Sequence, residues 1–269
     1  MRLTILILLF FFVSGISCAQ NFSPKIKAFK SGESLTYDVS YNWGLIWVSA
    51  GTVTFSVQHE EVHDKTLFHF IGEGNSKKNW DWFFKVRDKF ESYNDTSNLR
   101  PYKYIRNSND GGEWVINDVT YDQKNNKAIG HLKTKKQPQL KTDTLQINYL
   151  TFDPISMIYY ARTLDFDKFK PGDEIPITIL LDNQVFYRKI VYLGKEIIIT
   201  EFGKFRCIKF KPTLIPGTLF KEGDAMTVWV SDDENRLPVK VETPIVVGSV
   251  KAYLKIANGV KYKMSSKIN

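Results

Sequence analysis

The chain has 269 residues, of which 43% are hydrophobic and 14% are aromatic. This composition excludes a disordered chain, and the length allows one large domain or two small ones, each with a packed core. The formal net charge of +8 favours anionic partners. Nucleic acid is not expected among them, because no arginine-rich tract with interleaved aromatic residues occurs.

Residues 1–19 are predicted to be a cleavable secretory signal peptide, because Arg2 precedes an apolar run that ends in small residues. Two processing routes are open. Cleavage before Gln20 would release the protein into the periplasm, whereas lipidation of Cys18 would anchor it to a membrane. In both cases residues 20–269 are the predicted exported β domain, and export also argues against nucleic acid as a partner.

The first strands alternate apolar and polar residues. "SLTYDVSYNW" and "GTVTFSVQ" each place apolar side chains on one side only, which is typical of half-buried antiparallel strands. Between them, "YNWGLIWVSAGTVTF" carries Trp43 and Trp47. Its apolar run is shorter than the roughly twenty residues of a membrane-spanning helix, and we predict strands with bends or bulges at Gly44 and Gly51.

The next stretch, "HEEVH", places His59 and His63 at the spacing of the zinc-protease motif. That motif binds metal only on a helix, where two histidines one turn apart face the same ion. Strand patterns on both sides predict a hairpin connection instead. We therefore expect no metal at this position.

The middle of the chain continues with strands and polar turns. "FFKVRDKFESY" alternates through Phe84, Val86, Asp88 and Phe90, and the segments 109–112 ("NDGG") and 122–127 ("DQKNNK") are predicted turns. Such regular spacing argues for an antiparallel sheet and against βαβ units.

One helix is predicted over residues 153–163, where Asp153 is the expected N-cap and Pro154 the first helical residue. A single helix among strands suggests a lid or plug against the sheet. It also divides the exported domain into two halves, residues 30–150 and 171–265.

The C-terminal part holds two acidic candidates, Asp232 and Asp233, in "VWVSDDENRLPVKVE". Clustered carboxylates serve glycoside hydrolysis and divalent-ion binding, although a polar turn between strands has the same composition. Upstream, Cys207 in "KFRCIKF" is predicted to be a buried thiol. Downstream, Asn258 and Gly259 predict a tight hairpin.

The chain's tryptophans are the other candidates for ligand contact, since tryptophan stacks well on sugars and acyl chains. Plain core packing is the alternative for each of them. The candidate ligand-binding residues are Trp43, Trp47, Trp80, Trp82, Trp229, Asp232, Asp233 and Arg236.

Five segments carry a family resemblance. They are "FKSGESLTYDVSYNWGLIWVSAGTVTF", "VRDKFESYNDTSNLRPYKY", "FDPISMIYYAR", "TEFGKFRCIKFKP" and "VWVSDDENRLPVKVETPIVVGSVKAYL". From about Phe29 to Leu254 the chain resembles the exported bacterial family called domain of unknown function 3108, which implies a compartment and no mechanism. The closing forty residues also resemble periplasmic lipoprotein carriers of the LolA and LolB type. That looser resemblance implies a half-barrel that holds acyl chains.

These observations predict a mainly β fold: a strongly curved antiparallel sheet, half-barrel or barrel-like, with one packed helix. The preferred functional hypothesis is a non-enzymatic envelope protein that binds an amphipathic ligand, such as a lipid, a glycolipid or another anionic envelope component, within the sheet. The alternatives are an envelope polysaccharide hydrolase using Asp232 and Asp233, and a structural or protein-docking module. No cofactor is indicated.

Overall fold

The computed structural model describes residues 28–43, 46–215, 226–244 and 248–268, without the side chains of Trp43 and Ile46. The predicted signal peptide with Cys18, and the predicted bend at Gly44, lie outside the described residues. Within the described part of the chain, no helix is both long enough and apolar enough to cross a membrane.

The described residues form sixteen strands and one α-helix, α1 (Pro154–Ala161). The strands are β1 (Ser34–Trp43), β2 (Ile46–Val62), β3 (Lys65–Ser76), β4 (Val86–Asp95), β5 (Pro101–Asp110), β6 (Glu113–Asp122), β7 (Lys127–Thr134), β8 (Lys141–Gln146), β9 (Thr151–Phe152), β10 (Glu174–Leu181), β11 (Gln184–Thr200), β12 (Gly203–Pro212), β13 (Thr227–Ser231), β14 (Pro238–Pro244), β15 (Ser249–Asn258) and β16 (Lys267–Ile268).

The strands lie in one long sheet made of two meanders. Strands β1 to β8 follow one another side by side, strands β9 to β15 do the same, and pairing of β1 with β15 joins the two series. The short β9 pairs in parallel with β10, the other neighbours along the path are antiparallel, and β16 pairs with β12. Strands β8 and β9 end the path, so the sheet is not closed. The predicted mainly antiparallel architecture is confirmed.

The predicted turns at 109–112 and 122–127 connect β5 to β6 and β6 to β7. Gly111 and Gly112 have φ angles of 60° and 90°, which suit a tight hairpin that follows the strand twist. The bulge predicted at Gly51 is also confirmed, since the β1–β2 register shifts there. A Cβ at Gly51 would lie 2.7 Å from the Asn75 carbonyl oxygen, so this position requires glycine.

The hairpin predicted at Asn258 and Gly259 is wrong. Gly259 does have a positive φ, 64°, but the chain then continues to β16, which pairs with β12 and not with β15. A Cβ at Gly259 would lie 2.0 Å from the Gly32 carbonyl oxygen. The glycine is therefore required by a close backbone approach and not by a hairpin.

Helix α1 starts as the sequence predicts. The Asp153 carboxylate accepts hydrogen bonds from the backbone N–H groups of Ile155 and Ser156, both at 2.9 Å, while the Ser156 hydroxyl accepts one from the Asp153 N–H at 3.0 Å. This reciprocal capping satisfies donors that a helix start leaves unpaired. Arg162 is the C-cap, close to the predicted end at 163.

The face of the sheet that packs against α1 is called the inner face here. Ile155 and Tyr159 of α1 belong to one buried apolar cluster with Phe70 of β3 and Ile208 of β12. Strands from both meanders therefore reach the same helix, which requires the sheet to curve around it. Helix α1 acts as a plug inside this curve.

The sheet also overlaps itself, because β10 is buried on both faces. Ile177 packs in the α1 cluster, whereas Leu180 packs in a second cluster with Tyr104 of β5 and Val119 of β6. A strand at one end of the path thus lies within the curve of strands near the other end. This arrangement fills the interior around α1.

Candidate functional site

An apolar groove of about 560 Å³ lies on the inner face at the end of the sheet away from α1. Its walls are far more apolar than polar, as is typical of pockets that bind small amphipathic molecules. The described residues that line it are Val39, Tyr41, Val48, Ala50, Gly51, Thr52, Val53, Gly74, Asn75, Ser76, Trp80, Phe83, Phe84, Val86, Asp88, Asp110 and Val250.

Strand alternation and small side chains together produce the groove. Val39 and Val53 are on the inner face because their strands present every second residue there. Gly74 occupies the neighbouring position on β3, and a Cβ built there would contact Asp88 at 3.6 Å and Val53 at 3.9 Å. These are ordinary van der Waals distances, so the space above Gly74 is open to a side chain or a ligand.

One wall of the groove is a connection between β3 and β4, which we name the aromatic loop (Lys77–Lys85). Backbone N–H groups of Phe83 and Phe84 donate to the Trp80 carbonyl at 3.0 and 3.1 Å, which turns the chain tightly. The loop is held at both ends, where Lys77 N–H donates to the Ala50 carbonyl and the Lys85 carbonyl accepts from Gly111 N–H, each at 2.8 Å. The aromatic side chains are thus placed by a well-bonded backbone.

Two carboxyl groups form the polar end of the groove. The carboxyl groups of Asp88 on β4 and Asp110 on β5 interact, and this interaction favours a proton on Asp88 over a proton on Asp110. Burial, followed by the charge of Asp110, raises the pKa of Asp88 to about 6, and burial raises the pKa of Asp110 as well. Because the pKa of Asp88 is about 6, the pair keeps one proton into mildly acidic pH and offers a ligand both a hydrogen-bond acceptor and a titratable proton.

The filled end of the interior is organised around a buried ion pair. Arg162 donates to both Glu33 carboxylate oxygens, at 2.5 and 2.9 Å, and also to the backbone carbonyls of Asn235 and Ala28, at 2.9 and 3.1 Å. Both charged side chains are almost completely buried. Three sequence motifs far apart in the chain, "SGESL", "YYAR" and "DDENRLP", therefore meet at one point.

Comparison with known proteins agrees with this architecture. The chain matches the family described as "Protein of unknown function (DUF3108)" over residues 36–255. The chain belongs to this family. The chain is similar to the crystal structure of a beta-barrel-like protein of domain of unknown function DUF1849 from Brucella abortus. The TM-score is 0.58 at 10% identity, and the match covers 86% of this chain and 98% of that one. At that identity the likeness shows the fold alone. No curated protein matches the chain.

The tryptophan candidates are distributed over different parts of this DUF3108 chain. Trp80 lines the groove and Trp82 lies at the exposed tip of the aromatic loop. Trp47 is partly exposed beneath the Lys251 ammonium, 4.0 Å from its ring centroid. The Trp43 side chain lies outside what the structure describes.

Trp229 is separated from the groove and belongs to a small cluster on the outer face with Phe205 and Cys207. Its indole N–H donates to Glu196, and the Lys240 ammonium lies 4.2 Å from its ring centroid. The ring borders a second hollow of about 450 Å³, and the lining of this hollow is more polar than that of the apolar groove. Burial raises the pKa of the Cys207 thiol to about 12, so the thiol stays protonated at neutral pH.

The acidic candidates of this DUF3108 chain lie in the β13–β14 connection, where their carboxylates are occupied by the chain's own donors. Asp233 is buried and accepts hydrogen bonds from the Ser231 hydroxyl at 2.8 Å and the Ser266 hydroxyl at 2.7 Å. Asp232 pairs with Arg236 at 3.1 Å, and with Lys195 at the same distance. The structure therefore places these three predicted site residues in a polar turn that fixes the C-terminal segment.

The two histidines of "HEEVH" do not form a metal-ligand pair. His59 is within β2, whereas His63 is in the two-residue turn to β3 with a φ of 48°. Among the described residues, no group of three or more side chains is arranged to hold a metal ion. The predicted connection between strands is shorter than expected, because residues 59–62 belong to β2 and only His63 and Asp64 form the turn.

Sequence reasoning missed Asp88 and Asp110 as site residues. A signal for Asp88 was present, because it occupies an apolar position in the alternation of "FFKVRDKF" and so had to face inward. Asp110 has no comparable local signal. Its position beside Asp88 depends on the register of β4 with β5, in which Val86 is opposite Asp110.

Proposed function

We propose that this chain is a non-enzymatic binding protein whose groove accommodates the apolar part of an amphipathic molecule, such as a lipid or glycolipid of the bacterial envelope. The observation that carries the proposal is the open apolar groove beyond α1, with Trp80, Phe83 and Phe84 along one wall. Aromatic and aliphatic walls bind apolar chains by removing both surfaces from water.

The carboxyl pair favours a particular kind of polar group on the ligand. Asp88 and Asp110 line the groove, and either carboxylate would repel an anionic group placed beside it. A hydroxyl or an amine would instead donate a hydrogen bond to them. We therefore infer that the ligand presents sugar hydroxyls or an amine at this end, which fits a glycolipid better than a bare phosphate.

The hydrolase alternative has less support from the geometry. Asp232 and Asp233 are adjacent in a turn, and their oxygens already accept hydrogen bonds or ion pairs from neighbouring residues. Glycoside hydrolysis requires two carboxyl groups that flank an open site.

The test is to fill the groove without removing any existing contact. Gly74→Leu places a side chain in the open space, and Glu73→Leu is the matched control, because it adds the same side chain to the neighbouring, exposed position of β3. The measurement is binding of the apolar fluorescent dye N-phenyl-1-naphthylamine, together with mass spectrometry of lipids extracted from the purified protein.

We expect Gly74→Leu to weaken dye binding by roughly tenfold or more, since a leucine side chain occupies volume that the dye requires, and to remove any co-purified lipid. Glu73→Leu should bind as the unmodified protein does. Equal binding by all three proteins, at equal thermal stability, would show that the groove is not the binding site.

A further inference from the structure

Three consecutive aromatic residues at the tip of the aromatic loop are exposed. Trp82, Phe83 and Phe84 have 76%, 52% and 41% of their surface accessible, and the rings of Trp82 and Phe83 meet edge to face at 5.9 Å. The loop needs no such exposure to keep its shape, because its backbone hydrogen bonds and its ends hold it. A contiguous exposed apolar patch of this kind marks a surface that meets a partner.

Two lysines lie beside this patch. Lys78 and Lys85 flank the aromatic residues and are exposed. Asp81, within the loop, is paired with Arg87 at 2.6 Å, so its charge is already matched by a neighbour. Among the described residues, neither Lys78 nor Lys85 has an ion-pair partner within 4.0 Å. The tip therefore presents aromatic side chains between two cations.

We propose that the aromatic loop docks the protein on the surface of an anionic lipid bilayer. Tryptophan and phenylalanine enter the interface between head groups and acyl chains, while lysines remain at the level of the anionic head groups. A second copy of this chain is a poorer partner, because a symmetric contact would bring the same lysines of both copies together. The charge pattern thus distinguishes a bilayer from self-association.

The loop joins this surface to the groove, since Phe83 and Phe84 line the groove as well as the exposed tip. Docking would therefore bring the mouth of the groove to the membrane. Membrane docking does not depend on ligand binding, because the exposure and the charge of the loop are independent of what the groove contains.

The experiment is flotation of the purified protein with vesicles of phosphatidylcholine, either alone or mixed with phosphatidylglycerol. All proteins carry Cys18→Ser, so that an acyl anchor cannot cause the binding. The test variant is Trp82→Ser with Phe83→Ser. The matched control is Tyr187→Ser, which removes an aromatic side chain that is 71% exposed on β11.

We expect the unmodified loop to bind the mixed vesicles, and the double variant to lower the partition coefficient by roughly tenfold or more. Tyr187→Ser should bind normally. Lys78→Gln with Lys85→Gln should lower binding to the mixed vesicles by roughly tenfold and reduce its dependence on salt. Gly74→Leu should still float with the mixed vesicles. Dye binding therefore tests the groove and flotation tests the aromatic loop, and the two proposals can fail separately.

Absence of flotation with the mixed vesicles would overturn the inference, as would equal flotation of the double variant. Analytical sedimentation of the protein without vesicles measures its oligomeric state and tests the alternative that the loop contacts a second copy. If the double variant changes the oligomeric state while flotation stays the same, the loop contacts a second copy and the bilayer proposal is wrong.

Discussion

The two ends of the inner face use the same strands for different purposes. Next to α1, the inner face of β3 is covered by Phe29, Tyr159 and Ile155, and the interior is filled. Beyond the helix, the same strand faces an open groove. The curvature of the sheet therefore does not determine whether its interior is filled. The interior is filled where helix α1 covers the sheet and open where the helix is absent.

Two glycines of β3 illustrate the contrast. A Cβ at Gly72 would lie 2.8 Å from the Ile155 Cδ1 atom and 3.2 Å from the Phe55 ring, whereas a Cβ at Gly74 would meet nothing closer than 3.6 Å. Gly72 lets the helix pack closely on the sheet. Gly74, two residues further along the same face, leaves space that the protein does not fill itself.

The largest expected effect is at the filled end, where Arg162→Met breaks the buried ion pair. Glu33 would be left buried without its partner, which costs about 3–5 kcal/mol. Equilibrium unfolding in urea measures the loss. The double variant Arg162→Met with Glu33→Leu should recover most of it, because no unpaired charge then remains. A double variant as unstable as the single one would mean that the hydrogen bonds of Arg162 to the backbone dominate.

A smaller effect should distinguish the two glycines. Gly72→Val forces Ile155 and Phe55 to move within a packed core, which costs about 1–3 kcal/mol. Gly74→Val is the matched control on the same strand. Its unfolding free energy should stay within about 0.5 kcal/mol of that of the unmodified protein, because the added side chain meets its neighbours at ordinary van der Waals distances. Equal losses in the two variants would show that the groove end is as tightly packed as the helix end.

Much of the fold could be predicted from local patterns. Strand alternation, the turn at Gly111–Gly112 and the cap at Asp153 depend on neighbouring residues, and the structure contains them as predicted. Gly259 shows the limit, because a positive φ is common to hairpins and to close backbone contacts. Local sequence does not distinguish these two causes.

The site was harder to predict because it depends on register and on what covers the sheet. Trp47 lies within β2 beneath the Lys251 ammonium, whereas Trp80 follows β3 in a loop that folds over the groove. The pairing of Asp88 with Asp110 depends on how β4 aligns with β5. Similarly, Glu33 and Arg162 are 129 positions apart, and only the tertiary fold makes them partners.

The smallest effect concerns the polar end of the groove and its response to pH. Because the folded protein raises the pKa of Asp88 to about 6, the protonated carboxyl is favoured by folding. Below a pH of about 4, both the folded and the unfolded chain hold the Asp88 proton, and the stability of the folded protein is not reduced by this group. As the pH rises through about 6, the proton is lost and the stability falls. Asp88→Asn keeps an acceptor for the Asn109 N–H, which lies 3.0 Å from Asp88 Oδ1, and removes the charge.

We therefore expect Asp88→Asn to raise the free energy of unfolding by about 1 kcal/mol at pH 7.5 and by much less at pH 4.5. Partial exposure of the carboxyl pair to solvent keeps this gain small. Urea unfolding at both pH values measures it. Asp64→Asn is the control, because it removes a carboxylate from an exposed turn whose φ of 60° asparagine accepts. A gain in stability that is the same at both pH values would mean that Asp88 does not hold the titrating proton, and that Asp110 holds it instead.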